Sequence, residues 1–220
     1  MIENATGLIV RTRPLTETSL IVQWLTAEQG RIATVAKGAR RSKSAFQGKL
    51  DLFYLAELSF SRSRHSELHS LREVRVIETF SFLRKGIERL RQACYCATLV
   101  EQTTESDTPL PGVFPLMQEY LMALAQGASN VHLLLAFELR LLNQLGMGPN
   151  LDDCRLLPAD RELAHRLATG GLLTLSELQP DPESVRAVKR FLHGFLIYHL
   201  GRLPRGREAA LATDPPRCSG

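Results

Sequence analysis

Between Arg31 and Lys49 the chain carries six cations, Arg31, Lys37, Arg40, Arg41, Lys43 and Lys49, interleaved with Gly and Ser and accompanied by no acid. Cations at that density, with nothing beside them to neutralise, are suited to holding phosphate. A P-loop is excluded by spacing. In Gly38-Ala39-Arg40-Arg41-Ser42-Lys43-Ser44, Ser42 stands where a P-loop has Gly before its Lys, and the first Gly is one residue too close. His65-Ser66-Glu67 has the H-x-E order of zinc deaminases, but no P-C-x-x-C follows to hold the metal. Asp152 and Asp153 are adjacent acids that read as solvated or capping, and His65, His69, His132, His165, His193 and His199 are dispersed. No Ser/His/Asp or Cys/His constellation stands out, so the chain reads as a binding protein and not an enzyme.

The charge of the whole chain sharpens that reading. Residues 1 to 79 hold 12 Lys/Arg against 8 Asp/Glu, whereas residues 80 to 220 hold 15 of each, so the formal +4 lies entirely in the first part. At 220 residues, 44% hydrophobic and 23% charged, the chain has room for two cores. Its start, Met1-Ile2-Glu3-Asn4, lacks the basic and apolar run of a signal peptide, and no stretch reaches the ~18 apolar residues of a membrane helix. A cytoplasmic protein without membrane contact is expected. Cys94, Cys96, Cys154 and Cys218 show no C-x-x-C spacing and read as reduced thiols.

The elements that position the cations come in two kinds. Over the first 79 residues, Leu8 and Val10, then Leu20, Val22 and Trp24, alternate with polar positions, and Gln29-Gly30 offers a turn before Ile32 to Ala36. Extended segments at 52 to 60 and 67 to 77 flank a polar hairpin tip carrying Arg62 and Arg64. About five strands with basic connections predict an α+β protein whose N-terminal domain is a small β-barrel of the OB-fold type. Trp24, Phe53, Tyr54 and Phe60 read first as barrel core and second as platforms on which unpaired bases stack.

After Thr79 the period becomes helical, giving an all-helical domain over 80 to 220. Ile87, Leu90, Cys94, Ala97 and Val100 form one stripe, and Thr108 to Gly112 breaks the chain before a helix at about 113 to 126. Asn130 caps a helix with Leu134, Phe137, Leu141 and Leu145 that stops at Gly146. Asp181 and Pro182 open a last helix with Val185, Val188, Leu192 and Phe195, closed by Gly201. Gly148 to Pro180 is irregular apart from a short helix near Arg161 to Leu167. Arg202, Arg205 and Arg207 follow the last helix, placed to complement its C-terminus or to touch DNA.

Several spaced motifs agree in order with one family. Thr12-Arg13-Pro14-Leu15-Thr16-Glu17-Thr18-Ser19, Leu25-Thr26-Ala27-Glu28-Gln29-Gly30-Arg31 and Ala36-Lys37-Gly38-Ala39-Arg40-Arg41-Ser42-Lys43-Ser44 are similar to the N-terminal domain of RecO, the bacterial recombination mediator. Phe137-Glu138-Leu139 with Leu145-Gly146-Met147-Gly148-Pro149, and Val188-Lys189-Arg190-Phe191 with His199-Leu200-Gly201, resemble its central and last helices. The resemblance covers essentially the whole chain, least closely at about 100 to 130 and 155 to 180. It implies an OB-fold joined to a helical domain, binding to single- and double-stranded DNA, annealing of complementary strands, and help in loading RecA on strands covered by single-stranded-DNA-binding protein. RecR and the acidic tail of that binding protein are the implied partners, in a bacterial, nucleoid-associated setting.

One departure from the family is specific. Many members carry a four-cysteine zinc site in the helical domain, whereas here only Cys154 remains in the region of about 150 to 180, with Gly170-Gly171 matching the glycines before the later cysteines. Structural zinc takes four N/S ligands, which His165 alone does not restore, so no zinc or other cofactor is expected.

The DNA-binding candidates are therefore Arg31, Lys37, Arg40, Arg41, Lys43, Lys49, Arg62 and Arg64. For the acidic, Phe-ending tail that the resemblance implies, an apolar groove flanked by cations is expected in the helical domain, with Arg140, Arg186, Lys189 and Arg190 as candidates and Arg140 and Arg190 foremost for its terminal carboxylate. The alternative class is an RNA-binding or translation-associated OB-fold adaptor whose helical half docks a protein.

Overall fold

The computed structural model describes residues 2–126 and 130–212. They form two compact units, one of the described residues up to 81 with 104–115, the other of 82–103 with the described residues from 116 on. This division differs from a single cut at 79/80, because the segment 104–115 returns to the first unit.

In the first unit, β1 (Ile2–Pro14), β2 (Leu20–Thr26), β3 (Gly30–Ala36), β4 (Leu55–Ser61) and β5 (Leu68–Glu78) close into a barrel of order β1-β2-β3-β5-β4. All pairings are antiparallel except β3 with β5, giving the five-stranded OB-fold. Ala5, Ile9, Val22, Trp24, Ile32, Leu58 and Phe60 fill its interior, and the Trp24 indole N–H donates to Thr34 Oγ1 at 2.9 Å. Leu20, Val22 and Trp24 point inward as their alternation predicts. Leu8 and Val10 do not behave as a pair. Pairing with β2 shifts between Ile9 and Arg11, so Val10 is the extra residue of a β-bulge, and Ile9 takes the interior position instead.

At the β2–β3 turn, Gly30 has φ +68°, and a Cβ there would lie 1.9 Å from the Thr108 carbonyl oxygen. The returning segment thus passes too close for any other residue. It is tied down by Asp107 N–H donating to Arg31 O at 2.7 Å and by the Arg31 guanidinium on Thr104.

The second unit is helical, with α1 (Ile87–Thr103), α2 (Val113–Gln126), α3 (Val131–Gln144), α4 (Pro158–Thr169), α5 (Leu172–Leu175), α6 (Pro182–Leu200) and α7 (Arg207–Leu211). The last part of α2 belongs to it. α3 is its centre, buried on all sides from His132 to Leu139 and packed by α1, α4, α5 and α6. The expected stripe on α1 holds in part: Ala97 and Val100 are buried and Leu90 and Cys94 half-buried. Ile87 is exposed, and Gln92, Tyr95, Cys96 and Leu99 are buried, because the helix is covered on more than one face and a single stripe cannot describe it. α6 follows its sequence signals closely: Asp181 Oδ2 accepts from Ser184 N–H at 2.9 Å, Pro182 opens the first turn, and Gly201 closes it at φ +70°. Asn130 occupies the N-cap of α3 but its side chain donates to Ser176 O, not to the helix. The helix read near Arg161 to Leu167 extends to Pro158–Thr169, since Pro158 starts it earlier.

Candidate nucleic-acid interface

The β3–β4 connection, residues 37–54, is built as successive tight turns. Arg41 N–H donates to Gly38 O, Ser44 N–H to Arg41 O, Gln47 N–H to Ser44 O and Lys49 N–H to Phe46 O, all at 3.0–3.1 Å. Such self-bonded turns hold an Ala, Ser and Gly-rich segment in place without a strand partner. The connection is also fastened to the β1–β2 turn: Arg40 N–H donates to Thr18 O at 3.0 Å and its guanidinium to Thr16 O at 3.2 Å. Lys37, Arg40, Arg41 and Lys43 are exposed and Lys49 is half-buried. Among the described residues none of these five forms an ion pair within 4 Å. A fixed, uncompensated cluster of cations results at one end of the barrel.

Strand register adds a residue that the cation count overlooks. Arg13 pairs with Ile21, which pairs with Val35, so these three share one face of the sheet, and Lys37 follows Val35 by two. With strands ~4.8 Å apart, Arg13 lies roughly 10 Å from Val35 across the sheet. Arg13 is exposed. The signal in the sequence is its place beyond the bulge, where β1 runs on past the barrel body.

The remaining candidates stand elsewhere. Arg62 and Arg64 follow β4 at the opposite end, where Arg62 meets the β2–β3 turn through Gln29 at 2.8 Å. Arg62 also pairs with Glu3 at 2.8 Å and Asp107 at 2.7 Å, and these carboxylates raise its already high pKa while Glu3 is held below the usual carboxylate range. His69, stacked on Phe60, reaches Asp107 at 3.1 Å. Arg31 bonds Thr104. Of the eight candidates, Arg62 is thus neutralised by carboxylates and Arg31 is tied to Thr104, Arg40 keeps its exposed charge while donating to a backbone carbonyl, and Arg64 is exposed at its separate tip. Among the aromatics, Trp24, Phe53 and Phe60 are core at 0–1% exposure, and Tyr54 is half-buried beside the basic connection.

In the helical unit a groove of about 520 Å³ between α4 and α6 has Leu157 and Phe191 on its walls, with the cations Arg155, Arg186 and Arg190 and the acids Asp160, Asp181 and Glu183 around it. Lys189 is half-buried and is not in this lining. Arg140 is not in this lining; it pairs with Glu119 at 3.0 Å and donates to Gly170 O at 3.3 Å. Arg186 pairs with Glu183. Cys154 donates to Leu151 O, and His165 reaches Asp152 at 3.1 Å. Among the described residues no three His, Cys, Asp or Glu side chains converge as a metal site; Cys218 lies outside the described residues.

Arg207 corrects the reading of the tail. It is 1% exposed, and its guanidinium donates to both Glu138 carboxylate oxygens at 2.7 and 2.8 Å, so it neither touches DNA nor complements the end of α6. Tyr95 donates to the same carboxylate.

Two family models cover most of the chain: "Recombination protein O N terminal" matches residues 1–80 and "Recombination protein O C terminal" residues 84–157. Among curated proteins, the DNA repair protein RecO of Syntrophus aciditrophicus is 31% identical over 86% of this chain and 76% of its own length. That of Exiguobacterium sibiricum is 30% identical over 92% and 82%. That of Anaeromyxobacter dehalogenans is 34% identical over 96% and 82%.

Proposed function

The chain belongs to the RecO family of DNA repair proteins, and from that premise we propose that it is a non-catalytic mediator that binds single- and double-stranded DNA and anneals complementary strands. The observation that carries the reading is the fixed cluster of Lys37, Arg40, Arg41 and Lys43, exposed and, among the described residues, without an ion pair within 4 Å. Each phosphate neutralised there releases condensed counterion, so binding is tight at low salt, falls steeply with added salt and reads little sequence. Annealing follows from the same property: a surface holding two strands weakly lowers their repulsion, and the bases do the pairing. Lys49 and Arg13 extend the cluster, and Arg64 is a separate exposed cation at the other end of the barrel.

In the same reading the protein works with RecR, in the bacterial cytoplasm at the nucleoid, and assists RecA loading on strands covered by single-stranded-DNA-binding protein. The acidic tail of that protein docks in the α4–α6 groove, its aromatic end against Leu157 and Phe191 and its carboxylate beside Arg190. Arg140, already paired with Glu119, is left out of that contact. No zinc is held. The experiment is annealing of complementary DNA coated with single-stranded-DNA-binding protein, with and without that protein's tail. The intact chain should speed annealing of the tailed complex and lose most of the effect on the tail-less one. No acceleration on either, together with preferential binding of structured RNA, would favour an RNA-binding adaptor instead.

A further inference from the structure

Beside the basic connection lies a groove of about 470 Å³, walled by Leu20, Phe46, Leu50 and Tyr54, with Arg40 and Arg41 in its lining. That volume is in the range of small-molecule sites, about 300–1,000 Å³. Its apolar wall is the outward side of residues that otherwise pack on the barrel core. Nothing in the electrostatic account uses it. Phosphate binding needs only the cations.

We propose that this groove takes one unpaired nucleobase from a strand whose phosphates lie on Arg40, Arg41 and Lys43, which makes the interface prefer single strands over duplex. The inference rests on the reading of the basic connection as the DNA interface. Three observations support it. Two half-buried aromatic rings, Phe46 and Tyr54, flank an open apolar space within one side chain's reach of two guanidinium groups, the combination used to stack unpaired bases along a backbone. The backbone presenting Tyr54 is held on both sides: Phe53 N–H donates to Ile9 O at 2.7 Å and Ile9 N–H to Tyr54 O at 2.9 Å. Phe53 itself adopts φ +63°, unusual for a bulky residue, with its ring 1% exposed, so that it turns into the core while Tyr54 stays at the groove. Finally, the lining includes Gln47 and the carboxylate-bearing Asp51, one oxygen of which accepts from the Leu52 N–H at 2.7 Å. A carboxylate repels phosphate and accepts hydrogen bonds from base edges, so that part of the groove suits a base and not the backbone.

A duplex keeps its bases stacked and paired, so it gains only the phosphate contacts. The test compares oligo-dT with an abasic oligomer of equal length, hence equal phosphate count, on the intact chain, on Phe46→Leu and Tyr54→Leu, and on the combined Lys37, Arg40, Arg41 and Lys43→Ala variant. Leucine keeps apolar packing on the barrel and removes the ring, in Tyr54 together with its hydroxyl. The unsubstituted chain should bind oligo-dT about ten-fold or more tightly than the abasic oligomer, in line with the stacking of one base. Either leucine variant should lose most of that difference with an unchanged salt slope and unchanged duplex affinity. Equal affinity for the two oligomers with a steep, cation-dependent salt slope overturns the base pocket and leaves the electrostatic reading standing. A ten-fold preference that survives in both leucine variants also overturns it, because the base is then held elsewhere. Undiminished binding by the four-fold alanine variant overturns the reading on which the pocket rests.

Discussion

At Arg207 a cation that the sequence places in an arginine-bearing tail is withdrawn from water and given a partner 69 residues away in the chain, Glu138. Two guanidinium N–H groups meet two carboxylate oxygens, and the Tyr95 phenol adds a third donor, its proton held far above the usual phenol range by burial and by the Glu138 charge. Desolvating both ions is costly, and good geometry mainly offsets that cost. Removing one partner is different, because it strands a buried charge. Glu138→Leu should destabilise the helical unit by about 3–5 kcal/mol, and the double variant Glu138→Leu with Arg207→Met by clearly less, as read from urea unfolding. Equal losses in the single and double variants would show that the pair is not coupled. No local pattern announces this contact: Glu138 sits among Phe137 and Leu139, where a buried acid is recognisable only once its partner is known.

Elements whose signals are local were legible, and those set by distant contacts were not. Leu20, Val22 and Trp24 alternate on an unbroken strand, and Asp181, Pro182 and Gly201 bound α6 by their own chemistry. The bulge at Val10, the many-sided burial of α1 and the return of 104–115 to the barrel all depend on partners remote in sequence. Of the interface, the exposed cluster was legible as a run of cations, whereas the internal engagement of Arg31 and Arg62 and the placement of Arg13 required the strand register. The clasp at the far end of the barrel has a pH signature. Arg62 lowers the Glu3 pKa below its ordinary 4.5, so the pair's contribution is fully present above that value and is lost as pH falls through the depressed folded-state value. The stability difference between the unsubstituted chain and Arg62→Met should therefore be constant above pH 4.5 and shrink below it. A difference that stays constant into acid would remove Glu3 from the clasp.

For the molecule as a whole, the formal charge of +4 hides how the cations of the N-terminal unit are used: its opposite ends carry them bound to carboxylates at Arg62 and open at Lys37 to Lys43. The region of about 150 to 180, with Cys154 lacking its expected companions, should be held by ordinary packing without a metal. Elemental analysis of the purified protein should find no stoichiometric zinc, and chelator should leave its melting temperature unchanged; about one zinc per chain would refute this. The central claim is that the turns between β3 and β4 are where DNA is held. Its most direct measurement is the salt dependence of single-strand binding by the chain in which Lys37, Arg40, Arg41 and Lys43 are all replaced by Ala. Fewer released counterions should weaken binding and flatten the slope of log K against log salt by about 2 to 3, at ~0.7 per phosphate contact, with thermal stability preserved. A folded four-fold variant with unchanged affinity and unchanged slope would contradict the account.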